Sequence, residues 1–414
     1  MTRLPITDTT SAADAVTVVE QWVAEEVPAA WREAAAEGPK ALRAARSRDE
    51  YSRWYPVFAE SGLVVPTWRP EHGGLDVGNE VARAIEVVLT PLRLNRLNPL
   101  GLNNAAAALF SHGTEEQLLR FLPPIVRNEE KWCQLFSEPG AGSDLASLAT
   151  KAVRDGDQWV VSGQKVWTTW ADEADFGILL ARTDPDQPKH KGITYFLLDM
   201  RQPGVEVRPL RQITGEREFN EVFIDGAVVP DAHRVGELND GWRVSASTLS
   251  SERQMVSGSG SGGIGRLGGS SAERLITLAQ EKGRWSDPVI RGKVMRLWAQ
   301  EQIRGWTNAR VRAALSAGQS PGAASSIGKV HQATLNQQIQ DLMVDLLGTD
   351  GLAWSGGDDN ALPREVQGWM RSLANSTEGG TTDINKNILG ERVLGLPKEP
   401  DPWKGKPWKD IPRS

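Results

Sequence analysis

The sequence predicts an α+β protein of several domains: an N-terminal helical domain (residues 1–130), a small central antiparallel β-barrel (131–240), a C-terminal helical bundle (241–396) and an extended tail (397–414). Three observations carry that expectation. The apolar period is helical up to about Glu130, changes to two as far as Leu238, and is helical again nearly to Leu396. The middle stretch breaks into short apolar runs separated by Asp, Pro and Gly clusters, the pattern of a small barrel or sandwich. A length of 414 residues with 39% hydrophobic content supplies enough apolar surface for two or three domains.

The elements follow in order. Ala-rich stretches from Ala13 to Ala30 and from Ala105 to Phe110 read as helices interrupted by Pro and Gly. Residues 60–74, with Gly62, Pro66, Pro70 and Gly73-Gly74, read as a helix end followed by a Pro-rich loop. A turn at Asp155-Gly-Asp precedes a strand from Trp159 to Trp167. Further strands are expected at Phe176 to Arg182, Ile193 to Leu198, Val205 to Leu210 and Phe219 to Ile224. Gly258-Ser-Gly-Ser-Gly-Gly263 matches the spacing of a dinucleotide loop. It follows no strand and lies in a helical region, so close helix packing explains it better.

Composition narrows the function. A formal charge of −6 with scattered Lys and Arg argues against nucleic acid. The single cysteine, Cys133, excludes an intrachain disulfide and suits a reducing compartment. The first residues lack an apolar signal core, and no run approaches the roughly 18 apolar residues of a membrane span. A cytoplasmic enzyme is therefore expected, with no membrane partner. His72, His112, His190, His233 and His331 are widely separated, so no metal site is expected. No phosphate loop is present in the sequence.

Two motifs say more. Residues 132–144, Trp-Cys-Gln-Leu-Phe-Ser-Glu-Pro-Gly-Ala-Gly-Ser-Asp, are followed by Lys165-Val-Trp-Thr-Thr169. Pro139, Gly140 and Gly142 allow a tight turn whose main chain and small hydroxyls, Ser137 and Ser143, can approach a flat polar ligand. Both motifs resemble acyl-CoA dehydrogenases, and the helix, strand, helix plan resembles that family over nearly the whole chain. The resemblance implies FAD as cofactor. It places Leu135, Phe136, Ser137, Gly142 and Ser143 along the flavin, Trp167 and Thr169 over its other side, and Ser143 also against the substrate. It further implies that Thr381 and Asp383 lie near the FAD pyrophosphate. Arg284 would reach the FAD pyrophosphate of an adjacent subunit, and Asp345 stands where the family has a Gln beside the adenine.

The family's chemistry removes two hydrogens from an acyl thioester: a carboxylate takes the α-proton and the flavin takes the β-hydride. Two positions compete for the base. In Ser376-Thr-Glu-Gly-Gly-Thr-Thr-Asp383, alignment with the family's Glu-Gly-Thr places Gly379 at the base position and Glu378 one residue early. One residue turns a side chain by about 100° on a helix or to the opposite side of a strand. In Leu249-Ser-Ser-Glu-Arg253, Glu252 and Arg253 resemble the base and CoA-end arginine of the isovaleryl and long-chain branch. The vacated position at Gly379 favours Glu252, leaving Gly379 to offer its N–H to the thioester carbonyl. The expected reaction is dehydrogenation of an acyl-CoA to the trans-2-enoyl-CoA, with electron-transferring flavoprotein as acceptor. The expected assembly is a homodimer or homotetramer, with a hetero-oligomer also open. The displaced Glu378 leaves open an acyl-CoA oxidase, a flavin monooxygenase of this fold, or a partner subunit of a heteromeric dehydrogenase.

Overall fold

The computed structural model describes residues 3–257, 271–317, 319, 322–353 and 362–412, the side chains of 250–257, 315, 316, 324 and 325 excepted. The Gly258 to Gly263 stretch lies outside the described residues.

Seven helices form the first layer: α1 (Ala12–Glu26), α2 (Ala29–Glu37), α3 (Pro39–Ala45), α4 (Arg48–Glu60), α5 (Asn79–Leu89), α6 (Ala106–His112) and α7 (Glu115–Val126). Their starts are written locally. Ser11 caps α1, and Ser47 with Glu50 and Thr114 with Gln117 close reciprocal capping boxes on α4 and α7. Trp22, Trp31, Tyr51, Trp54, Tyr55 and Phe58 interlock with ring centroids 5.4 to 6.2 Å apart. This cluster accounts for three of the chain's 16 tryptophans as core packing.

The central domain has β1 (Trp132–Leu135), β2 (Lys151–Asp155), β3 (Gln158–Thr169), β4 (Phe176–Arg182), β5 (Ile193–Asp199), β6 (Val205–Leu210), β7 (Phe219–Pro230) and β8 (Arg234–Val235) in one sheet. The strand order is β6-β7-β3-β2-β4-β5-β8, with β1 beside β4. Pairing is antiparallel except that β1 runs parallel to β4, and β2 meets β4 in parallel at Lys151 and Arg182. Alternate residues of β1 to β7, among them Cys133, Trp159, Leu179, Phe196, Val207 and Val222, converge on one core, so the sheet wraps around its own interior. The opposite faces of β1, β4 and β5, through Trp132, Ile178, Leu180, Tyr195 and Leu197, join the helical core instead. Burial on both faces explains why β4 and β5 read as unbroken apolar runs rather than alternating ones. Strand β7 runs past Ile224, where the sequence pattern stops. At the Val161/Ser162 register shift it bulges at Gly226, whose N–H donates to the Ser162 hydroxyl.

The C-terminal helices are α8 (Gly241–Ser257), α9 (Ala272–Glu281), α10 (Pro288–Ser316), α11 (Ser326–Leu347), α12 (Arg364–Leu373) and α13 (Thr382–Arg392). Leu275, Ile290, Val294, Leu335, Ile339 and Met343 knit α9, α10 and α11. Helix α8 links all three regions: Thr248 Oγ1 donates to Asn104 O and lies 3.0 Å from Tyr195 Oη of β5. Its first residue is fixed by contact. A Cβ on Gly241 would fall 2.6 Å from the Thr194 carbonyl carbon. Gly241→Ala is therefore expected to push α8 off β5 and cost about 1–3 kcal/mol, read from urea unfolding midpoints.

Candidate active site

The two motifs are locked together by a buried ion pair. Lys165, with no exposed surface, donates through Nζ to Glu138 Oε1 (2.8 Å), Leu180 O (2.9 Å) and Phe136 O (3.1 Å). Glu138 also accepts from the N–H groups of Ala149 (2.7 Å) and Thr150 (2.9 Å). Burial pushes the Glu138 carboxyl up, but Lys165 and these donors outweigh it and hold it below the usual carboxylate value. Burial draws the Lys165 ammonium down while Glu138 opposes it, and three acceptors around Nζ favour the charged form.

From this anchor the loop is built outward. Glu138 and Ala141 exchange both main-chain hydrogen bonds, so Pro139-Gly140 forms a two-residue turn. Gly142 and Ser143 are exposed, and a Cβ on Gly142 would meet nothing within 4 Å. Leu135 points into the barrel core and Phe136 into the helical core, edge-on to Tyr195, so only their main chains can face a ligand. Ser137 is half-buried, and its carbonyl accepts from Val166 N–H (2.9 Å), next to Trp167. There the β3–β7 register slips between Lys165 and Thr168, and Trp167 takes a left-handed φ of 62° and is 60% exposed. Trp170 is also left-handed, at 53°. Such backbone costs about 1–3 kcal/mol per residue and is kept where neighbours over-determine it. Thr168 turns inward with its hydroxyl unpartnered, and Thr169 is half-buried.

The C-terminal loop meets the same end of the sheet. Trp170 N–H donates to Glu218 O, the Glu218 carboxylate lies 3.7 Å from Arg371 Nε, and Arg371 Nη2 donates to Glu378 Oε2 (2.7 Å). Asn375 Nδ2 donates to the other oxygen of Glu378 (2.7 Å), and buried Lys329 donates to Asn375 O. Burial pushes the Glu378 carboxyl up, yet the Arg371 and Asn375 bonds and nearby charge hold it below its ordinary value. Gly379 follows at φ 61°, and Thr381 caps α13 by accepting from Ile384 N–H (3.1 Å). Thr382 keeps a buried, unpartnered hydroxyl, whereas Asp383 is exposed beside Lys386. Sequence reasoning passed over Arg371 and Glu218. The helix carrying Arg371 ends at Leu373, so no periodicity relates it to Glu378.

Other expected residues stand apart. Glu252 and Arg253 fall within α8, and their side chains lie outside the described residues. Arg284 is exposed on the turn before α10, and its ion-pair partner among the described residues is Asp287 (3.6 Å). Asp345 lines a cleft of about 310 Å³ between α10 and α11, with Lys293, Arg296, Gln300 and Asp341. The structure also brings Glu71, His72 and Glu115 together, with one potential metal-ligand atom from each lying within 4.8 Å of the others, a grouping that sequence distance hides. Among the described residues, no helix is long and apolar enough to cross a membrane.

Residues 133–227 match the acyl-CoA dehydrogenase middle domain and residues 239–394 the acyl-CoA dehydrogenase C-terminal domain. Acyl-CoA dehydrogenase IpdE1 of Mycobacterium tuberculosis is 37% identical over 363 residues, 85% of this chain and 89% of that protein. The chain belongs to the acyl-CoA dehydrogenase family. This is a family of oxidoreductases that is generally FAD-dependent. Acyl-CoA dehydrogenase FadE34 of the same organism is 40% identical over 83% of this chain, which spans 46% of that longer protein. Among solved structures, the Tcur3481-Tcur3483 steroid acyl-CoA dehydrogenase has the same fold, with a TM-score of 0.72 at 25% identity over 95% of this chain and 100% of that one.

Lys165→Met leaves Glu138 buried without its cation and is expected to destabilise the protein by about 3–5 kcal/mol in urea unfolding. The double variant Lys165→Met with Glu138→Gln should recover part of that loss. Because the Glu138 carboxyl is depressed, the pair's contribution is complete above the ordinary carboxylate value. It is lost as pH falls through the lowered one, which a melting series in acid checks.

Proposed function

We propose that this chain catalyses FAD-dependent α,β-dehydrogenation of an acyl-CoA, with Glu252 as the base. The observation that carries this assignment is the capture of Glu378. Ion-paired to Arg371 and bonded to Asn375, it is held as a carboxylate of low basicity in a structural network. Position 252 lies on the same face of α8 as Ser245 and Thr248, at spacings of seven and four residues. That face meets the sheet and the π-helical turn Leu100–Ala105.

The residues present fit a flavin. An exposed indole rises from the strained bulge at Trp167, the Thr168 and Thr382 hydroxyls are buried without partners, and space opens beyond Gly142. Ser137, Gly142, Ser143, Trp167 and Thr169 would hold the ring system, with Leu135 and Phe136 contributing main chain. The N-terminus of α13 at Thr381 suits pyrophosphate, with Asp383 beside it. FAD, when bound, accepts a hydride from the β-carbon. Glu252 takes the α-proton, Gly379 N–H donates to the thioester carbonyl, and Ser143 and Arg253 bind the substrate. A steroid-like or other polycyclic acyl group is the proposed substrate class, since the relatives include a steroid acyl-CoA dehydrogenase, and cyclohexane-1-carbonyl-CoA dehydrogenases among them extend the likeness to single-ring acyl groups.

The same reading includes a multi-chain assembly. Met295, Trp298, Ile303 and Trp306 of α10 are exposed, and Arg284 has no described contact with the motif loops. Structural neighbours include the ChsE4-ChsE5 complex of Mycobacterium tuberculosis, so a heteromeric partner stands beside a homodimer or homotetramer. Electron-transferring flavoprotein would take the electrons, in a cytoplasmic setting.

Anaerobic mixing with a panel of acyl-CoAs should bleach the visible flavin band with one substrate class. Bound flavin that no acyl-CoA bleaches would move the chain to a partner-dependent subunit or an oxygen-using relative. Glu252→Gln should keep flavin and substrate binding and lose about 10³-fold or more in turnover. Glu378→Gln should retain turnover within a few-fold and instead lower stability by about 1 kcal/mol, seen in thermal melts. The opposite pattern would assign the base to Glu378.

A further inference from the structure

The tail is docked at residues 407–409. Trp408, only 7% exposed, sits in a single helical turn, Trp408–Asp410. Its main-chain N–H donates to Gln187 O (2.8 Å), Lys409 N–H donates to Pro185 O (3.0 Å), and Pro407 bridges to Pro188. The Lys409 ammonium lies 2.5 Å from Asp186. These contacts clamp the tail onto the loop between β4 and β5.

The Trp408 side chain reaches further. Indole Nε1 donates to Ser147 O (3.3 Å), and the guanidinium of buried Arg182 stands 4.7 Å from the ring centroid. Arg182 Nη2 donates to Ala146 O (2.6 Å) and Leu148 O (3.3 Å), and Nη1 to Lys189 O (2.8 Å). Lys189 in turn lies 2.9 Å from both carboxylate oxygens of Asp144. Residues 144–148 hold the three-residue turn Leu145–Ser147 through Ser147 N–H to Asp144 O (3.0 Å), Leu148 N–H to Leu145 O (3.1 Å) and the Ser147 hydroxyl to the Asp144 carboxylate (2.6 Å), which leaves the carbonyls of Ala146, Ser147 and Leu148 to outside donors. The Arg182 and Trp408 contacts bind its carbonyls from outside. That turn follows Gly142 and Ser143 directly.

We propose that Trp408 is a positioning residue: the tail sets residues 142–148 and thereby the affinity for the acyl-CoA thioester, without touching substrate. This rests on the reading of Ser143 as a substrate contact given above. It adds a constraint from the far end of the chain, 261 residues away from Ser147.

The test uses the full chain with flavin bound and compares Trp408→Ala and Trp408→Phe with the unaltered protein, by amide hydrogen exchange and by steady-state kinetics. In Trp408→Ala, exchange across residues 142–150 should rise about tenfold while strand β3 keeps its protection. KM for the reducing acyl-CoA should rise about tenfold with kcat within about twofold, and Trp408→Phe, which keeps a ring over Arg182, should restore most of both. Unchanged exchange at 142–150 would overturn the positioning role. Faster exchange with unchanged KM would overturn its link to substrate, and a parallel fall of kcat, flavin content and β3 protection without rescue by Phe would reduce Trp408 to general stability. If no acyl-CoA reduces the unaltered protein, the proposed reaction fails. The exchange comparison then decides the positioning role by itself.

Discussion

The buried pair of Lys165 and Glu138 is the constraint on which the candidate site depends. Taking two charges out of water costs several kcal/mol each, and a buried pair survives only when the remaining donors and acceptors are met. Here they are met by main chain: two carbonyls around the ammonium, two N–H groups around the carboxylate. Apolar residues of similar volume could fill the space. They could not specify which carbonyls of Phe136 and Leu180 and which amides of Ala149 and Thr150 must converge. The pair thus joins the start of the loop at Glu138, its return at Thr150, and the strand that carries the strained Trp167 near its end.

That rigidity gives the strain at Trp167 a place to be stored. A bulky residue at positive φ relaxes unless both flanks are held. On one side Val166 N–H is bonded to Ser137 O; on the other Trp170 N–H is bonded to Glu218 O, and Asn220 donates to Thr168 O (3.1 Å). The cost is spent on presenting an indole outward from a bulge. Burying it in either core would have required no such backbone.

Much of this was legible in the sequence, for reasons that differ by element. Strands β4 and β5 were readable as apolar runs bounded by turn residues and β6 as an alternating Val-Glu-Val-Arg stretch, patterns that need no partner to be recognised. The parallel strand β1 was hidden inside a motif that reads as a loop. The second half of β7 was hidden by Asp225-Gly226, a turn signal that the fold uses as a bulge. The motif loops were legible because they are contiguous, and the out-of-register Glu378 was legible as an anomaly. What it pairs with was not, since Arg371 and Glu218 meet it through tertiary packing and no sequence spacing encodes that meeting. Trp408 was read only as part of an extended tail for the same reason.

The pairing of Glu378 also bears on why a base could move within such a fold. A carboxylate that shares an arginine with Glu218 and an amide with Asn375 is fixed in direction and lowered in basicity, both unfavourable for a proton acceptor that must respond to substrate. In the proposed reaction, with that residue holding the C-terminal loop to the sheet, proton abstraction would require a carboxylate from a different element. Helix α8 qualifies because Gly241 seats its start on β5 and the Tyr195–Thr248–Asn104 bonds fix it against both other regions. The loop then retains the role its geometry suits: two consecutive glycines at positive φ, with the N–H of Gly379 available to a carbonyl oxygen and the cap of α13 directly behind it.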